Sequence, residues 1–114
     1  MANVYYDPEK FGLTQIGHIE LAGSYEFDTY VLWKDKNGLV YWAYDTGCSC
    51  PIPFEDYTTL ESLNVIRIYT DLDVLKSALG SRVIDGHSLD KFMDFYNTAR
   101  NSWAEWTRGQ RETR

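Results

Sequence analysis

The sequence predicts an α+β domain, in which a three- to four-stranded antiparallel meander sheet is followed by two C-terminal helices packed on one face. Strand-like runs in the first half, a hairpin signal at Asn37-Gly38 and helical spacing of apolar residues in the second half support this fold class. A chain of 114 residues has the length of one typical domain. We therefore expect a single domain over residues 1–114, with a β-rich half at 1–57 and a mainly helical half at 58–114.

Four runs have the composition of strands, and they lie at residues 13–21, 25–34, 39–44 and, as a candidate fourth strand, 65–69. Because Asn and Gly both accept positive φ, Asn37-Gly38 favours a two-residue hairpin loop. That loop sets a register in which Trp33 lies opposite Trp42. Alternation along the strands then predicts one core face, made of Phe27, Val31, Trp33, Val40, Trp42 and Tyr44.

The opposite face of the sheet is predicted to be exposed and to bind a partner. It combines aromatic and apolar side chains with acids, namely Tyr30, Leu32, Tyr41, Glu26 and Asp28. Tyrosine and tryptophan are enriched at protein interfaces, and negative charge steers a basic partner. Near the other end of the chain, Trp106 falls beyond the predicted core stripe and is a further candidate anchor.

The second half of the chain carries two helical patterns. The first begins at residues 70–73, where acids favour a helix N-terminus, continues through Leu72, Leu75 and Leu79, and ends at Gly80. Ser88 is a suitable N-cap for a longer second helix, with Gly109 near its end. Its apolar stripe consists of Leu89, Phe92, Met93, Tyr96, Ala99 and Trp103.

The charge distribution argues against direct nucleic-acid binding. The net charge is −6, and residues 1–75 contain twelve acidic but only four basic side chains. Such a surface repels a phosphate backbone. No basic, apolar leader opens the chain and no apolar run is long enough to span a bilayer, so we expect neither a signal peptide nor membrane association.

The loop after the third strand contains the weak metal candidates Cys48 and Cys50. A structural zinc site needs four ligands, and His18 and His87 are the only histidines. We therefore expect reduced, metal-free cysteines and no cofactor, with zinc binding and a thiol redox role as alternatives. Residues 85–90 hold the residue types of a hydrolytic triad, but neighbours in a turn seldom reach its geometry, so we expect no enzymatic activity.

Several segments of the β-rich half resemble a family of small uncharacterised proteins, a domain of unknown function, from tailed bacteriophages of actinobacteria. These segments are residues 5–13, 24–28, 41–43 and 45–57, the most specific being Gly47-Cys48-Ser49-Cys50-Pro51-Ile52-Pro53-Phe54-Glu55. The resemblance covers residues 5–61, while residues 62–114 match no motif. It implies a phage-encoded protein in the host bacterial cytoplasm and supplies no activity or catalytic residue.

The leading hypothesis is therefore a small acidic interaction protein that binds a host protein, such as a defence or replication factor. It would act as a monomer or a small homo-oligomer. One alternative is a DNA mimic that inhibits a DNA-binding protein, which the acidic body favours. Another is a zinc- or thiol-dependent domain that uses the Cys48 and Cys50 loop.

The metal-free state of the cysteines is directly testable. Elemental analysis of protein purified without chelator should find no stoichiometric zinc, because neither a third nor a fourth ligand is evident near Cys48 and Cys50. One zinc per chain that is lost in a Cys50→Ser variant would overturn this expectation and make His18 or His87 a ligand.

Overall fold

The computed structural model describes residues 3–21, 26–48, 54, 56–80 and 89–112. Its main elements are β1 (Leu13–Glu20), β2 (Glu26–Asp35), β3 (Val40–Cys48), β4 (Asn64–Ile66), α1 (Tyr69–Gly80) and α2 (Leu89–Glu112), with short 3-10 helices at Pro8–Phe11 and Leu60–Ser62. The strands form one antiparallel sheet in the order β1-β2-β3-β4, and both helices pack on one face of it. The predicted fold class is confirmed. Within the described residues, neither helix combines the length and apolar character needed to cross a bilayer.

The hairpin between β2 and β3 has a three-residue loop rather than the predicted two-residue loop. Its closing bonds run from Gly38 N–H to Asp35 O and from Asp35 N–H to Leu39 O, each 3.0 Å. The Asp35 carboxylate also accepts the N–H groups of Asn37 at 2.8 Å and Leu39 at 3.0 Å. Gly38 has φ +90°, a left-handed conformation that glycine adopts without strain.

The extra loop residue shifts the pairing by one position and makes the predicted register wrong. Trp33 pairs with Tyr41, and Leu32 pairs with Trp42. Since side chains alternate between faces, a one-residue shift moves the whole of β3 to the other face relative to β2. The expectation that Trp33 and Trp42 share one face is therefore wrong, although both side chains are buried.

The face beneath the helices carries the first core cluster. The sheet contributes Ile19, Tyr30, Leu32, Val40, Trp42 and Ile66, and the helices contribute Leu72, Leu75, Leu79, Phe92, Phe95 and Ala99. The predicted stripe of α1 reaches the core, but that of α2 does so only in part. Phe92 and Ala99 are buried and Tyr96 and Trp103 are partly buried beside them, whereas Leu89 and Met93 are exposed and Phe95, outside the predicted stripe, is buried. Burying such side chains is worth about 1.5–3 kcal/mol each, which makes this cluster the main support of the fold.

The opposite face is also covered, in part by a residue of the motif at residues 47–55 singled out in the sequence. Phe54, with its side chain fully buried, packs its ring 5.9 Å from that of Trp33, 5.3 Å from Tyr5 and 5.2 Å from Tyr57. Its φ of +61° is unusual for a bulky residue, and the Asp45 carboxylate accepts its N–H at 2.7 Å. The described part of the motif therefore has a structural role: it seals the second face of the sheet.

The first strand, β1, contains a β-bulge. The pairing with β2 shifts between Gln15 and Gly17, which leaves Ile16 as the extra residue. Leu13 consequently lies in the second cluster and Ile19 in the first, although alternation places both on one side. The bulge changes the face that the following residues point to.

The helical half differs from expectation at its boundaries. The fourth strand is shorter than residues 65–69, since Tyr69 already begins α1. The Asp71 carboxylate accepts the N–H groups of Arg67 at 2.8 Å and Ile68 at 3.1 Å, as in a helix capping box. The expected end near Gly109 is wrong, because α2 continues to Glu112. The N-cap proposed at Ser88 lies outside the described residues.

Matched leucine truncations test the corrected face assignment. Leu32→Ala should lower the free energy of unfolding by about 2–5 kcal/mol, because Leu32 is fully buried beneath the helices. Leu89→Ala, at a half-exposed position of α2, should cost less than about 1 kcal/mol. Urea unfolding measures both values. Equal, small losses in the two variants would show that Leu32 lies on an exposed face.

Candidate binding cleft at the hairpin tip

The three central residues of the predicted partner surface are buried, so that surface does not exist as predicted. Tyr30 is 3%, Leu32 0% and Tyr41 8% exposed. Tyr30 donates its hydroxyl to Ala78 O at 3.2 Å beneath the helices, and Tyr41 donates to Asp35 Oδ2 at 3.2 Å on the other face. The reason is that both faces of the sheet are covered, which leaves no outer face for a partner.

The backbone of Asp28, one of the two acids predicted to frame that surface, is part of the sheet. The backbone N–H of Asp28 donates to both carboxylate oxygens of Glu20, each at 3.1 Å, and the hydroxyl of Thr29 donates to the same carboxylate. These contacts tie β1 to β2 near the end of the pair. The side chain of Glu26 lies outside the described residues.

Trp106, the remaining predicted anchor, does lie in a cleft. The cleft has a volume of roughly 250 Å³ and opens between the β2–β3 turn and the last turns of α2. We call it the hairpin cleft. Its lining residues are Lys34, Lys36, Asn37, Gly38, Ser102, Glu105 and Trp106.

One wall of the hairpin cleft is the tight turn itself. The Asp35 carboxylate stabilises the loop by accepting two of its backbone N–H groups, and the lysines on either side of it, Lys34 and Lys36, line the cleft. A Cβ atom at Gly38 would lie 3.9 Å from Cβ and Cδ1 of Trp106. The hairpin tip therefore lies next to the indole.

The other wall is α2, which is long enough to extend past the core to the hairpin. Its 24 residues span roughly 36 Å at the usual helical rise. Trp103 attaches this end to the domain by donating Nε1–H to Arg67 O at 3.2 Å, with its ring centroid 6.3 Å from that of Tyr69. Trp106 follows one helical turn later and is only partly buried. Trp103 thus positions the helix, while Trp106 is presented at the cleft.

The hairpin cleft concentrates positive charge in an acidic protein. Lys34 and Lys36 are exposed, and neither forms an ion pair with any residue that the structure describes. Among the described residues, Glu105 is the only acid that lines the cleft, and the exposed Arg108 follows on the same helix. Two ammonium groups, an indole, an amide and a hydroxyl can together bind a carboxylate-bearing ligand that also offers an apolar or aromatic group.

Sequence reasoning identified Trp106 but missed its neighbours. Lys34 and Lys36 lie far from residues 102–106 in the chain, and only the packing of α2 brings the two segments together. A local signal was available, because two lysines flank the acidic residue that precedes the Asn-Gly turn.

Two further clefts contain other predicted residues. One, of roughly 170 Å³, lies between the β1 bulge and α2 and includes His18, Lys91 and Asp94. The other, of roughly 400 Å³, includes Tyr41 and borders β4. Within the described residues, no three His, Cys, Asp or Glu side chains form a metal-binding group. The metal-free state of the cysteines stays a prediction, with zinc binding as its alternative, since the Cys48 side chain, Cys50 and His87 lie outside those residues.

Two tyrosines should lose their hydroxyl protons at a higher pH than an ordinary tyrosine does. Burial, followed by the neighbouring Asp35, raises the pKa of Tyr41, and burial with the charges of Asp45 and Asp56 raises the pKa of Tyr57. In the unfolded chain both return to about 10, so the unfolded state loses these protons first. Their contribution to stability is therefore present below pH about 10 and is lost as the pH rises through the higher folded values.

A near-ultraviolet titration of tyrosinate checks this expectation. The parent should show a late phase that diminishes in Tyr41→Phe and in Tyr57→Phe and is smallest in the double variant. The double variant should also lose less stability than the parent in strongly alkaline solution. A late phase unchanged by both substitutions would contradict the assignment.

Comparison with known proteins extends the resemblance to both halves of the chain. Residues 2–103 match the family described as a domain of unknown function, DUF7574. The match includes β4, α1 and most of α2, so the expectation that the helical half has no counterpart is wrong for residues 62–103. No curated protein and no solved structure matches the chain. The chain belongs to the DUF7574 family, whose function is unknown.

Proposed function

We propose that this protein is a phage-encoded interaction protein that binds a host protein in the bacterial cytoplasm, with the hairpin cleft as its binding site. The observation that carries the proposal is the partly exposed Trp106 beside two lysines without ion-pair partners among the described residues. The phage origin and the host compartment come from the resemblance of residues 5–61 to proteins of actinobacterial phages.

The chemistry of the cleft favours a partner with an acidic segment next to an apolar or aromatic side chain. Tryptophan is a frequent energetic anchor, because it buries a large rigid area and keeps a polar N–H. Lysines at the rim contribute mainly to association rate and specificity. A nucleic acid is a poorer match, because the rest of the chain carries enough acid to give a net charge of −6.

The structure of the acidic residues disfavours the DNA-mimic alternative. Four carboxylates accept backbone N–H groups and stabilise turns or strand ends, namely those of Glu20, Asp35, Asp45 and Asp71. A mimic needs carboxylates arrayed on the surface like phosphates. Four of the seventeen acidic side chains support the backbone instead.

Capture from host lysate with matched variants tests the binding site. Trp106→Ala, and separately Lys34→Glu with Lys36→Glu, should each weaken binding of the captured protein by about 1–3 kcal/mol, because they remove the anchor and reverse the rim charge. Lys91→Glu makes one substitution of the same kind in a different cleft and should bind like the parent. Calorimetry on the identified partner, at two salt concentrations, supplies the values.

Thermal unfolding of each variant shows whether the fold is retained. A partner that binds Trp106→Ala and the double lysine variant as tightly as the parent would place the interface elsewhere.

A further inference from the structure

The outer edge of β4 has the features of a pairing surface. β4 is the last strand of the sheet, and within the described residues nothing pairs with its outer side. The opposite edge strand, β1, contains a bulge, a feature that hinders edge pairing. β4 consists of Asn64, Val65 and Ile66, without a bulge, a proline or a lysine.

The alternation of hydrogen bonds along the strands shows which residue of β4 directs its backbone N–H and C=O groups away from β3. The hydrogen bond from Asp35 N–H to Leu39 O sets this alternation. Odd-numbered residues of β3 direct their backbone N–H and C=O groups towards β2, and even-numbered residues direct theirs towards β4. The Tyr57 hydroxyl donates to Tyr44 O at 2.9 Å from the side away from β2. This contact agrees with the alternation, because Tyr44 is an even-numbered residue. Val65 lies opposite Tyr41, so its N–H and C=O point out of the sheet.

The neighbouring backbone groups are already used inside the chain. Leu63 donates its N–H to Leu60 O at 3.1 Å, and Arg67 donates its N–H to Asp71 Oδ2 at 2.8 Å. Arg67 O accepts the indole N–H of Trp103. Val65 is thus the centre of the free edge. Because its backbone N–H and C=O both point outwards, two copies of β4 related by a twofold axis at Val65 can bond to each other.

The side chains around this edge are apolar and self-complementary. Leu60 is 37%, Ile68 60% and Tyr69 62% exposed, and these are three of the seven large exposed apolar side chains in the described residues. The cleft beside the edge contains Tyr41, Leu60, Glu61, Leu63, Val65 and Arg67. It therefore has an acid before the strand and a base after it.

We propose that β4 pairs antiparallel with β4 of a second copy of this chain, about a twofold axis at Val65. The two Val65 residues would exchange N–H···O=C bonds, and Leu63 of each copy would lie opposite Arg67 of the other. Glu61, two residues earlier, then lies within reach of that same arginine, so each interface contains two Glu61–Arg67 pairs. The two sheets become continuous, and Leu60, Ile68 and Tyr69 lie at the contact. This surface is separate from the hairpin cleft.

Charge reversal with complementation tests the proposed pairing. Sedimentation equilibrium should find the parent in a monomer–dimer equilibrium, and Glu61→Arg or Arg67→Glu alone should weaken the dimer about tenfold or more through like-charge contact. An equimolar mixture of the two variants should dimerise like the parent, because both pairs between the two chains are again opposite in sign. Glu9→Arg and Arg100→Glu, exposed and outside the cleft, should leave the dimer unchanged.

The amide of Val65 gives an independent readout, since its hydrogen exchange should slow as protein concentration rises. A parent that stays monomeric up to about 1 mM overturns the proposal and leaves this edge to an extended segment of another protein. A dimer that resists both single reversals, or single variants that fail to recombine, overturns it as well. Restored dimer in the mixture supports it and shows that both variants fold.

Discussion

The turn between β2 and β3 is the constraint on which the rest of the structure depends. The Asp35 carboxylate binds two backbone N–H groups of the loop, and Gly38 accepts the left-handed conformation that closes it. Together they make the loop three residues long rather than two. That single residue determines which face each side chain of β3 points to, and therefore which aromatic rings meet the helices.

The main consequence of this turn is a sheet that is buried on both faces, in a chain of 114 residues. The helices cover one face, and the N-terminal segment and Phe54 cover the other. Large rings make two small clusters sufficient, because each buries much area for one residue. The arrangement is not free of cost: the buried indole N–H of Trp33 has no hydrogen-bond partner among the described residues, and an unpaired buried N–H typically costs about 1–3 kcal/mol. Its ring contact with Phe54 and its complete burial offset that loss.

A sheet closed on both faces moves any binding surface to the periphery of the molecule. The hairpin cleft lies at one turn of the sheet and the free edge lies along β4, so the two surfaces are compatible in one assembly. The hairpin cleft is also partly outside the family match, which ends before Glu105 and Trp106. The residues that cover the second face, Tyr5, Phe54 and Tyr57, lie within the match. The family match therefore includes the closed sheet, while the anchor of the proposed interface lies beyond it.

Local patterns determined the element types and the fold class of this protein. Aromatic and β-branched runs specify the strands, leucines at helical spacing specify the buried stripe of α1, and Trp106 is outside the stripe of α2, as expected from its position. The tertiary structure alone decided which sheet residues are exposed. Tyr30 and Leu32 are assigned to the surface only if the hairpin loop has two residues, and the observed loop has three. Ile19 changes face because of the bulge in β1. Strand parity is an all-or-none property, so one residue in a turn or bulge reverses every assignment after it. The hairpin cleft required the fold for a different reason: its lysines and its tryptophan are some seventy residues apart in the chain, and only the packing of α2 against the sheet brings them together.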